Sequence, residues 1–347
     1  MNALIVGGGI AGISIALHLL KRGCSITVID QGENKSTSVA TGLINPIVFR
    51  RTTKSWRADD FVPYQEKFYR DIEINTSTHF FNPLVIRRVF SSEQERNDWK
   101  KKQERTDYQH YLNKISAQDN EYNLVPCPFG SARVDNCFWV DSLKFMVAGK
   151  QLIEQHGTWK TEPFNHSFFN AGEKKYKDNS YSHIIFCEGY EVKNNPLFKN
   201  LAISPTKGQV LTVKSNLIPD DESLNRKCFV LPVGDNQFKI GSTYEWEAQD
   251  CSITDEGKNL ILENLAILID DKPQIIGHEA GIRPTTIDRR PFIGEHSKYK
   301  GNYVFNGLGT KGYMIAPLLS NEFTSFLLDG GELDPEVAVY RREKLGD

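Results

Sequence analysis

The stretch NALIVGGGIAGISIALHLLKRGCSITVID, residues 2–30, decides the fold of this chain. It opens with a short apolar run suited to a buried parallel strand, and the glycine turn GGGIAG (7–12) follows directly. Apolar residues then recur at helical spacing up to Leu20, and a second apolar run, 25–29, ends at Asp30. Strand, glycine turn, helix, strand and acidic residue in this order predict a dinucleotide-binding βαβ unit, whereas GxGxxG without that context often occurs by chance.

Each glycine of the turn has its own task in such a unit. Gly7 permits the tight turn, Gly9 lets the backbone approach a pyrophosphate, and Gly12 allows the helix to pack closely on the strand. Asp30 stands 18 residues after Gly12, where an acidic side chain binds ribose hydroxyls. The alternative is a glycine turn that binds nothing, and the strand and helix around the turn argue against it.

Beyond residue 30 the simple alternation of strand and helix stops. A long mixed region covers about residues 75–138, a helical pattern begins at Asp141, and SHIIFC (182–187) is typical of a buried strand. Between residues 208 and 247 the runs GQVLTV, CFVLPV and QFKIGSTYEW predict β-strands. A buried strand as late as 182–187 implies that the dinucleotide-binding domain is discontinuous in sequence.

Two stretches rich in glycine and proline close the chain, GIRPTTIDRRPFIG (281–294) and NYVFNGLGTKGYMIAPLLSNEFTSFLL (302–328). The second predicts a strand, a glycine turn and a helix that ends at Gly330 and Gly331. The predicted class is α/β, mixed with α+β, with a discontinuous Rossmann-like domain and a substrate domain that has a largely antiparallel sheet. The predicted Rossmann-like domain comprises residues 1–75, 139–205 and 276–347, and the substrate domain comprises 76–138 and 206–275.

The composition is that of a globular protein of nearly neutral charge. Among 347 residues, 42 Lys and Arg stand against 44 Asp and Glu, so the net charge of −2 creates no field that gathers nucleic acid or an anionic membrane. Acids and bases are interspersed in EQERNDWKKKQERT (93–106), which favours the solvated face of a helix over an RNA-binding patch. With no basic leader and no long unbroken apolar stretch, a cytoplasmic protein without integral membrane association is expected.

Metal and thiol chemistry are not expected. The six cysteines are scattered without a CxxC pair, so neither a zinc site nor a dithiol redox motif is indicated. None of the eight histidines belongs to an HxH or HExxH pattern, and we predict no metal.

Five further blocks accompany GGGIAG and Asp30. They are ATGLINP (40–46), PTKGQVL (205–211), LPV followed by IGSTYE (231–245), IRPTTIDRRPFIG (282–294) and GLGTKGYMIAPLL (307–319). In this order the blocks resemble the D-amino acid oxidase superfamily of FAD-dependent oxidoreductases, which includes glycine oxidase and sarcosine oxidase. ATGLINP and GLGTKGYMIAP are also similar to the FAD domain of the bifunctional enzyme that modifies wobble uridine in tRNA. The resemblance makes the Rossmann-like domain the FAD-binding domain.

The cofactor that the resemblance implies is noncovalent FAD. Its pyrophosphate would lie on the glycine turn at the first helix N-terminus, and GLGTKG would place a second helix N-terminus near the flavin pyrimidine ring, where it stabilises the anionic reduced flavin. Asp30 stands where the family commonly has Glu, which leaves NAD(P) as an alternative cofactor. The predicted cofactor-binding residues are Gly7, Gly9, Ile10, Ala11, Gly12, Asp30, Thr41, Gly42, Leu43, Gly307, Gly309, Thr310, Lys311 and Gly312.

Arg283 is the predicted anchor of the substrate. A guanidinium holds a carboxylate through two parallel hydrogen bonds, and the family has its substrate Arg in the corresponding GxRP position. Tyr244 falls where relatives line the pocket, so Arg283 and Tyr244 are the predicted catalytic residues, with an Arg paired to a structural carboxylate and a Tyr in ordinary sheet packing as alternatives. Phe229 stands where glycine oxidase has a Tyr, which favours a larger or altered substrate, and Thr310 stands where some relatives carry a second Arg.

The resemblance predicts oxidation of the C–N bond of an amine or amino acid, by hydride transfer to flavin N5 and hydrolysis of the resulting imine. The partner is then a small-molecule amine or amino acid. The alternatives are FAD-dependent demodification of a tRNA wobble-uridine side chain, an NAD(P)-dependent dehydrogenase, and a noncatalytic flavin-binding interaction module. The tRNA alternative predicts a basic track into the pocket, and its candidate is the cluster Arg50, Arg51, Lys54 and Arg57. The exact substrate, the electron acceptor and the oligomeric state stay open.

Overall fold

The computed structural model describes residues 1–33, 35–116, 124–246 and 250–341, so residues 34, 117–123, 247–249 and 342–347 of the predicted ranges lie outside the described residues. The strands are β1 (Asn2–Val6), β2 (Ser25–Asp30), β3 (Leu43–Ile44), β4 (Ile47–Val48), β5 (Thr53–Lys54), β6 (Phe81–Val89), β7 (Leu112–Ser116), β8 (Ser131–Val140), β9 (Thr158–Thr161), β10 (Phe169–Asn170), β11 (Lys175–Tyr176), β12 (Asn179–Ser180), β13 (His183–Phe186), β14 (Ile203–Lys214), β15 (Ser223–Asn225), β16 (Phe229–Gly234), β17 (Gln237–Gly241), β18 (Glu245–Trp246), β19 (Gln274–Thr286), β20 (Phe292–Glu295) and β21 (Asn302–Asn306). The α-helices are α1 (Ile10–Lys21), α2 (Lys35–Val39), α3 (Ala58–Thr76), α4 (Glu93–Gln103), α5 (Ser142–His156), α6 (Asp255–Ala266) and α7 (Gly312–Asp329).

A six-stranded sheet in the order β20-β21-β13-β1-β2-β9 carries the predicted βαβ unit. All neighbours are parallel except the β20–β21 pair. Ala3 and Ile5 of β1 point to one face and Leu4 and Val6 to the other, and all four side chains are buried. Both faces of the sheet are therefore covered, which explains why β1 is apolar without alternation.

Helices α1, α3, α5 and α7 cover one face of this sheet and share its largest core. Phe145 of α5 packs edge to face against Tyr69 and Tyr313, with ring centroids 5.5 Å and 5.7 Å away. His18 of α1 is buried, stacks on Phe68, and burial lowers its pKa to about 4. His18 is therefore neutral at pH 7 and serves the packing of the helices, as expected for a histidine outside any metal pattern.

A ten-stranded sheet forms the second large layer, in the order β18-β14-β17-β16-β15-β6-β8-β3, with β19 on β14 and β7 on β8. Only the β15–β6 pair is parallel among its described pairs, so the predicted antiparallel character is confirmed. Leu211, Phe238 and Ile240 of this sheet share a core with Ile261 and Leu265 of α6. The long β14–β19 pairing brings the 205–211 and 282–294 blocks side by side.

The prediction of one strand over QFKIGSTYEW is wrong. The structure divides this run into β17 and β18, and residues 242–244 between them belong to no strand. Gln209 explains the break, because its backbone N–H donates to Thr243 Oγ1 and its carbonyl accepts from Thr243 N. The run therefore leaves its pairing with β16 after Gly241 and pairs again with β14 at Thr206 and Lys207, on the edge of β14 that β17 also uses.

The ends of the predicted domains cut through the sheets. β19 continues in the ten-stranded sheet to Thr286, and β3, near the start of the chain, also joins this sheet through β8. The assignment of the five sequence ranges to two domains stays a prediction.

Several smaller expectations can be compared with the structure. The charged stretch forms α4, of which Trp99 is buried. None of the six cysteines, all of which lie within the described residues, forms a disulfide. Within the described residues there is no group of His, Cys, Asp and Glu suited to a metal ion, and no helix there has the length and apolar composition needed to cross a bilayer.

Candidate functional site

A cavity of about 820 Å³ lies where the carboxyl ends of β1 and β2 meet the ten-stranded sheet and the start of α7. Most of the predicted site residues line it, namely Gly7, Gly9, Ile10, Ala11, Asp30, Thr41, Gly42, Leu43, Tyr244, Arg283, Gly309, Thr310, Lys311 and Gly312. Gly12 and Gly307 are not part of the lining. The structure thus brings together residues that are more than 300 positions apart in sequence.

The first glycine turn is built by backbone packing. Gly7 has a φ of 102°, and a Cβ on Gly12 would lie 1.8 Å from the Gly7 carbonyl oxygen. Gly12 therefore brings α1 close to β1, which is the role that its spacing predicts. Gly307, in the C-terminal turn, has a similar task, because a Cβ there would meet Thr286 at 2.9 Å.

The N-terminus of α1 points its free N–H groups toward the cavity. The first backbone hydrogen bond inside the helix runs from Ile13 to Gly9, and the Ile10 N–H donates to Thr37 Oγ1 at 3.1 Å. The N–H groups of Ala11 and Gly12 have no earlier helical turn to donate to. The first turn also has no acidic residue and Gly9 has no capping side chain, so this end of the helix favours an anion.

Asp30 is buried and holds the glycine turn. Its Oδ2 accepts from the Gly8 N–H at 2.6 Å, and its Oδ1 accepts from the Gly32 N–H at 2.7 Å. The Asp30 carboxylate thus binds backbone N–H groups of the glycine turn and of the residues after β2, and its role toward a ribose stays a prediction.

The ATGLINP segment and the C-terminal glycine turn face each other across the cavity. Lys311 Nζ donates to the Asn45 carbonyl oxygen at 2.6 Å, and the Gly309 N–H donates to the Pro284 carbonyl oxygen at 3.0 Å. Gly42 has a φ of 66° and no room for a side chain, since a Cβ would lie 1.9 Å from the Val140 carbonyl oxygen. These contacts fix three separate stretches of the chain against one another.

Lys311 is a buried cation at the start of α7. Burial lowers the pKa of Lys311 to about 8. Among the described residues, no carboxylate forms an ion pair with it. α7, like α1, has no capping side chain and no acidic residue in its first turn. The charge of Lys311 and the positive end of α7 therefore act together on this side of the cavity.

Arg283 enters the cavity from β19. Burial lowers the pKa of its guanidinium, and Nη2 donates to Ser242 Oγ at 2.8 Å. A Cβ on Gly208 would lie 1.9 Å from Nη2, so the missing side chain of Gly208 is what lets the guanidinium lie across β14. Among the described residues no carboxylate lies within 4 Å of Arg283, which disfavours the alternative of a structural ion pair.

Tyr244 covers the Arg283 guanidinium from the open side of the cavity. The Arg283 guanidinium carbon lies 4.8 Å from the centre of the Tyr244 ring, and 58% of the Tyr244 surface is exposed. This is a cation–π contact at the cavity mouth rather than ordinary sheet packing.

A polar network on the opposite face of β14 holds the segment that carries Tyr244. Glu245 Oε1 accepts from Gln209 Nε2 and Thr243 Oγ1, and Glu245 Oε2 pairs with Lys207 Nζ at 2.9 Å. The network fixes Thr243 and Glu245 on either side of Tyr244, so the aromatic ring is positioned by its neighbours.

Sequence reasoning missed four contributors to the site. Thr37 accepts from the α1 N-terminus, Ser242 accepts from Arg283, Gly208 makes room for it, and Glu245 anchors the segment of Tyr244. The glycine of PTKGQVL could have indicated a close approach, but no local pattern connects Thr37 or Ser242 to their partners. Phe164, His166 and Glu188 also line the cavity and carried no motif.

Two of the four residues in the predicted basic cluster form ion pairs with carboxylates. Arg50 and Arg51 are exposed, but Lys54 and Arg57 both pair with carboxylates. The partners are Asp59 for Lys54, and Asp60 and Glu322 for Arg57. Paired charges contribute little to phosphate binding, so this cluster gives weak support to a nucleic-acid partner.

The cavity fits a dinucleotide. It has two uncapped helix N-termini for anionic groups, a buried lysine, and a volume at the upper part of the range for cofactor pockets, about 300–1,000 Å³. These donors sit on the first glycine turn and on the turn before α7, which are the two places where the resemblance puts the pyrophosphate and the flavin.

Known proteins support the same assignment. The sequence model of the FAD dependent oxidoreductase family (DAO) matches residues 2–325. The tRNA 5-methylaminomethyl-2-thiouridine biosynthesis bifunctional protein MnmC of Legionella pneumophila (strain Corby) is 22% identical and aligns with 99% of this chain, which spans only 55% of that protein's length. Glycine oxidase of Pseudomonas putida is also 22% identical, with 99% of this chain and 98% of that protein covered. The crystal structure of glycine oxidase from Geobacillus kaustophilus has the same fold, with a TM-score of 0.79, 17% identity and 95% coverage of both chains.

Proposed function

The chain belongs to the FAD-dependent oxidoreductase (DAO) family, and from this premise we propose that it oxidises the C–N bond of an amine that carries a carboxylate, such as an amino acid. FAD is the cofactor of this family, so the NAD(P)-dependent dehydrogenase is wrong as an alternative, and so is the noncatalytic module, because the family members are enzymes. Our proposal therefore concerns the class of substrate and the residues that bind it.

Arg283 is the observation that carries the proposal. Arg283 is partly buried, and a partly desolvated guanidinium without a carboxylate partner is unfavourable, because its charge has lost water and gained only neutral acceptors. A substrate carboxylate supplies the missing partner through two parallel hydrogen bonds, with Ser242 holding the guanidinium in place. The names of the relatives, which include glycine oxidases, support the same substrate class.

The chain's own residues then prepare the reaction. Arg283 fixes the carboxylate, and Tyr244 limits how far the bound molecule can move toward solvent. Lys311 and the N-terminus of α7 provide positive charge on the cofactor side. Bound FAD supplies the acceptor for two electrons. The substrate nitrogen must be unprotonated to react, and the open mouth beside Tyr244 admits the water that hydrolyses the product imine.

We assign noncovalent FAD binding to the predicted residues that line the cavity. The pyrophosphate is proposed to lie at Gly9, Ile10 and Ala11, and the flavin between the 41–43 segment and the 309–312 turn. Gly12 and Gly307 act as packing residues for these two turns rather than as contacts.

The direct experiment is an absorption spectrum of the purified holoenzyme, followed by anaerobic additions of glycine, sarcosine, D-amino acids and D-proline. Bleaching of the flavin bands by one of these amines is expected. If none of them bleaches the flavin while dithionite does, oxidation of small amino acids is wrong.

The Arg283→Met variant tests the anchor. We expect kcat/KM for the carboxylate substrate to fall by roughly 10²-fold, which corresponds to about 3 kcal/mol of lost charge-assisted bonding, at unchanged flavin content. Arg290→Met is the matched control, because Arg290 is a neighbouring guanidinium that pairs with Glu336 outside the cavity. Equal kinetics of the two variants would remove Arg283 from the substrate site.

A further inference from the structure

Glu188 is a carboxylate in the cavity wall that the proposed oxidation does not use. It follows β13 by two residues, lines the cavity, and has only 9% of its side-chain surface exposed. A carboxylate that has lost most of its water is unfavourable unless hydrogen-bond donors replace that water. The donors around Glu188 therefore show whether its place in the cavity is complete without a ligand.

One oxygen of Glu188 accepts a hydrogen bond from the described part of the chain, and the other does not. Oε2 accepts from Asn195 Nδ2 at 2.7 Å, and Asn195 is fully buried. Asn195 is itself fixed, because its Oδ1 accepts from the Leu197 N–H at 2.8 Å. Oε1 lies 3.6 Å from His166 Nε2, which is too long for a hydrogen bond. The carboxylate is therefore held through Oε2, and Oε1 is left for another donor.

Glu188 lies next to the first glycine turn, on the side opposite Asp30. The strand order β13-β1-β2 puts the ends of β13 and β2 on either side of the end of β1. A Cβ on Gly7 would lie 2.5 Å from the Cys187 carbonyl oxygen and 3.4 Å from the Glu188 nitrogen. Both Asp30 oxygens accept from backbone N–H groups. Of the two carboxylates that flank the turn, Glu188 is thus the one with an oxygen that no described residue engages in a hydrogen bond.

The proposed position of FAD puts its adenosine half at this end of the cavity. With the pyrophosphate at residues 9–11 and the flavin between the 41–43 segment and the 309–312 turn, the adenosine extends from the pyrophosphate away from the flavin. Phe164 and His166 line the cavity beside Glu188, and their rings pack edge to face with centroids 5.0 Å apart. Such rings offer an apolar surface to a base.

An adenosine has two kinds of hydrogen-bond donor, the ribose hydroxyls and the amino group of the base. The ribose is joined to the pyrophosphate through one methylene group, whereas the amino group lies at the far edge of the base. Because Glu188 starts beside the turn proposed for the pyrophosphate, the ribose is the group within its reach. A hydroxyl that donates to a charged carboxylate forms one of the stronger hydrogen bonds in proteins.

We propose that Glu188 accepts a hydrogen bond from a ribose hydroxyl of FAD, and that Asn195 positions the Glu188 carboxylate for this contact. The inference rests on the proposed placement of FAD in the cavity and is independent of the substrate. It assigns the ribose to the residue after β13, whereas the spacing from the glycine turn predicts Asp30 at the end of β2. The Asp30 carboxylate then serves to hold the glycine turn.

ADP and its two deoxy analogues isolate this contact. ADP is the adenosine half of FAD with the pyrophosphate, 2′-deoxy-ADP lacks one ribose hydroxyl, and 3′-deoxy-ADP lacks the other. Calorimetry measures their affinities for the apoprotein, which is prepared by removing FAD from the holoenzyme and is checked by recovery of the flavin spectrum when FAD is added back. We expect one deoxy analogue to bind about tenfold more weakly than ADP, the effect of losing a hydrogen bond to a charged group.

The Glu188→Leu variant should lose this tenfold preference, because ADP then binds as weakly as the deoxy analogue. Glu188→Gln keeps an oxygen for Asn195 and should retain a preference of about threefold, since a neutral group forms the weaker hydrogen bond. Glu162→Leu is the matched control, because Glu162 is a carboxylate that pairs with Lys177 and does not line the cavity. This control should keep the full preference for ADP.

The comparison between the analogues separates a lost contact from a disturbed fold. A variant with a disturbed cavity loses affinity for ADP and for both deoxy analogues by the same factor, and such an equal loss in Glu188→Leu would overturn the contact. A preference for ADP that survives in Glu188→Leu would show that another group accepts from the hydroxyl. Equal binding of ADP and both deoxy analogues by the unmodified protein, or no binding of ADP, also contradicts the proposal.

These outcomes are independent of the proposed oxidation. ADP binding involves no amine, so failure of the ribose contact would leave the Arg283 anchor and the bleaching of the flavin by an amine unaffected. The converse result is a preference for ADP that depends on Glu188, together with a flavin that no amine bleaches. That result would support the ribose contact and overturn the oxidation of small amino acids.

Discussion

The two sides of the cavity offer different kinds of chemical group to a ligand. On the side of the six-stranded sheet the groups that face the cavity are mostly backbone: the glycine turn at 7–12 and the uncapped start of α1. On the side of the ten-stranded sheet they are side chains, with Arg283 held by Ser242 and covered by Tyr244.

This difference agrees with the ligands that we propose for each side. A pyrophosphate is the same in every dinucleotide, and backbone N–H groups at a helix end bind it without help from particular side chains. A substrate differs between related enzymes, so its side of the cavity has to be built from residues that can be exchanged without disturbing the fold. Glycines occur on both sides, but Gly12 allows close backbone packing, whereas Gly208 makes room for the Arg283 guanidinium.

The largest effect is expected for Gly12→Ala. The new Cβ would lie 1.8 Å from the Gly7 carbonyl oxygen, and neither backbone can move without shifting α1 from β1. We expect FAD affinity to fall by about 10²-fold or more, which corresponds to roughly 3 kcal/mol of overpacking. Fluorescence titration of the apoprotein with FAD measures it. Gly172→Ala, where the nearest atom is 3.5 Å away, should bind FAD normally, and normal binding by Gly12→Ala would mean that the turn adapts.

A smaller and opposite effect is expected for Gly208→Ala on the other side. Its Cβ would displace the Arg283 guanidinium, which is the mobile end of a side chain, at a cost of about 2 kcal/mol, or roughly 30-fold in kcat/KM for a carboxylate substrate. FAD affinity should stay unchanged. Steady-state kinetics give kcat/KM, and the flavin content of the purified variant reports FAD binding. A loss of both kcat/KM and FAD binding would contradict the division of the cavity into two sides.

The smallest effect concerns Lys311, which lies where the two sides meet. Its positive charge stabilises a reduced, anionic flavin, so Lys311→Met should lower the flavin midpoint potential by about 30 mV at pH 7, equivalent to about 1.4 kcal/mol for two electrons. Because burial lowers the pKa of Lys311 to about 8, the wild-type lysine is charged below this pH and neutral above it. Spectroelectrochemistry should therefore show the gap between the two proteins at pH 7 and its disappearance by about pH 10. A gap that persists at high pH would show that the lysine charge is not its cause.

The first βαβ unit was predictable because its contacts are local. β1, α1 and β2 form at the predicted residues, and the glycine turn has the geometry that its spacing indicates. The helix before Gly330 and its left-handed end were predictable for the same reason. The break at Ser242–Tyr244 was not predictable, since a continuous β pattern runs through QFKIGSTYEW and the interruption comes from Gln209 in another strand.

The same distinction applies to the cavity. Arg283 could be named from the sequence with the help of a family resemblance, but Ser242, which holds its guanidinium, is 41 residues away and has no motif. Asp30 was predicted to face a ribose, and the structure shows its two oxygens already engaged by Gly8 and Gly32. Residue type and spacing indicate which contacts a side chain can make, but not which of these contacts it makes in the folded protein.

Sequence alone was sufficient for the dinucleotide turn and the class of cofactor, and it was sufficient to single out Arg283, whose role as the anchor stays a proposal, because each depends on a short pattern or on an ordered set of short patterns. The environment of that arginine required the folded chain. β19 begins 60 residues after β14 ends, and the pairing of these two strands puts Gly208 under the Arg283 guanidinium. Long-range strand pairing sets which side chains share a face, and no local pattern records its register.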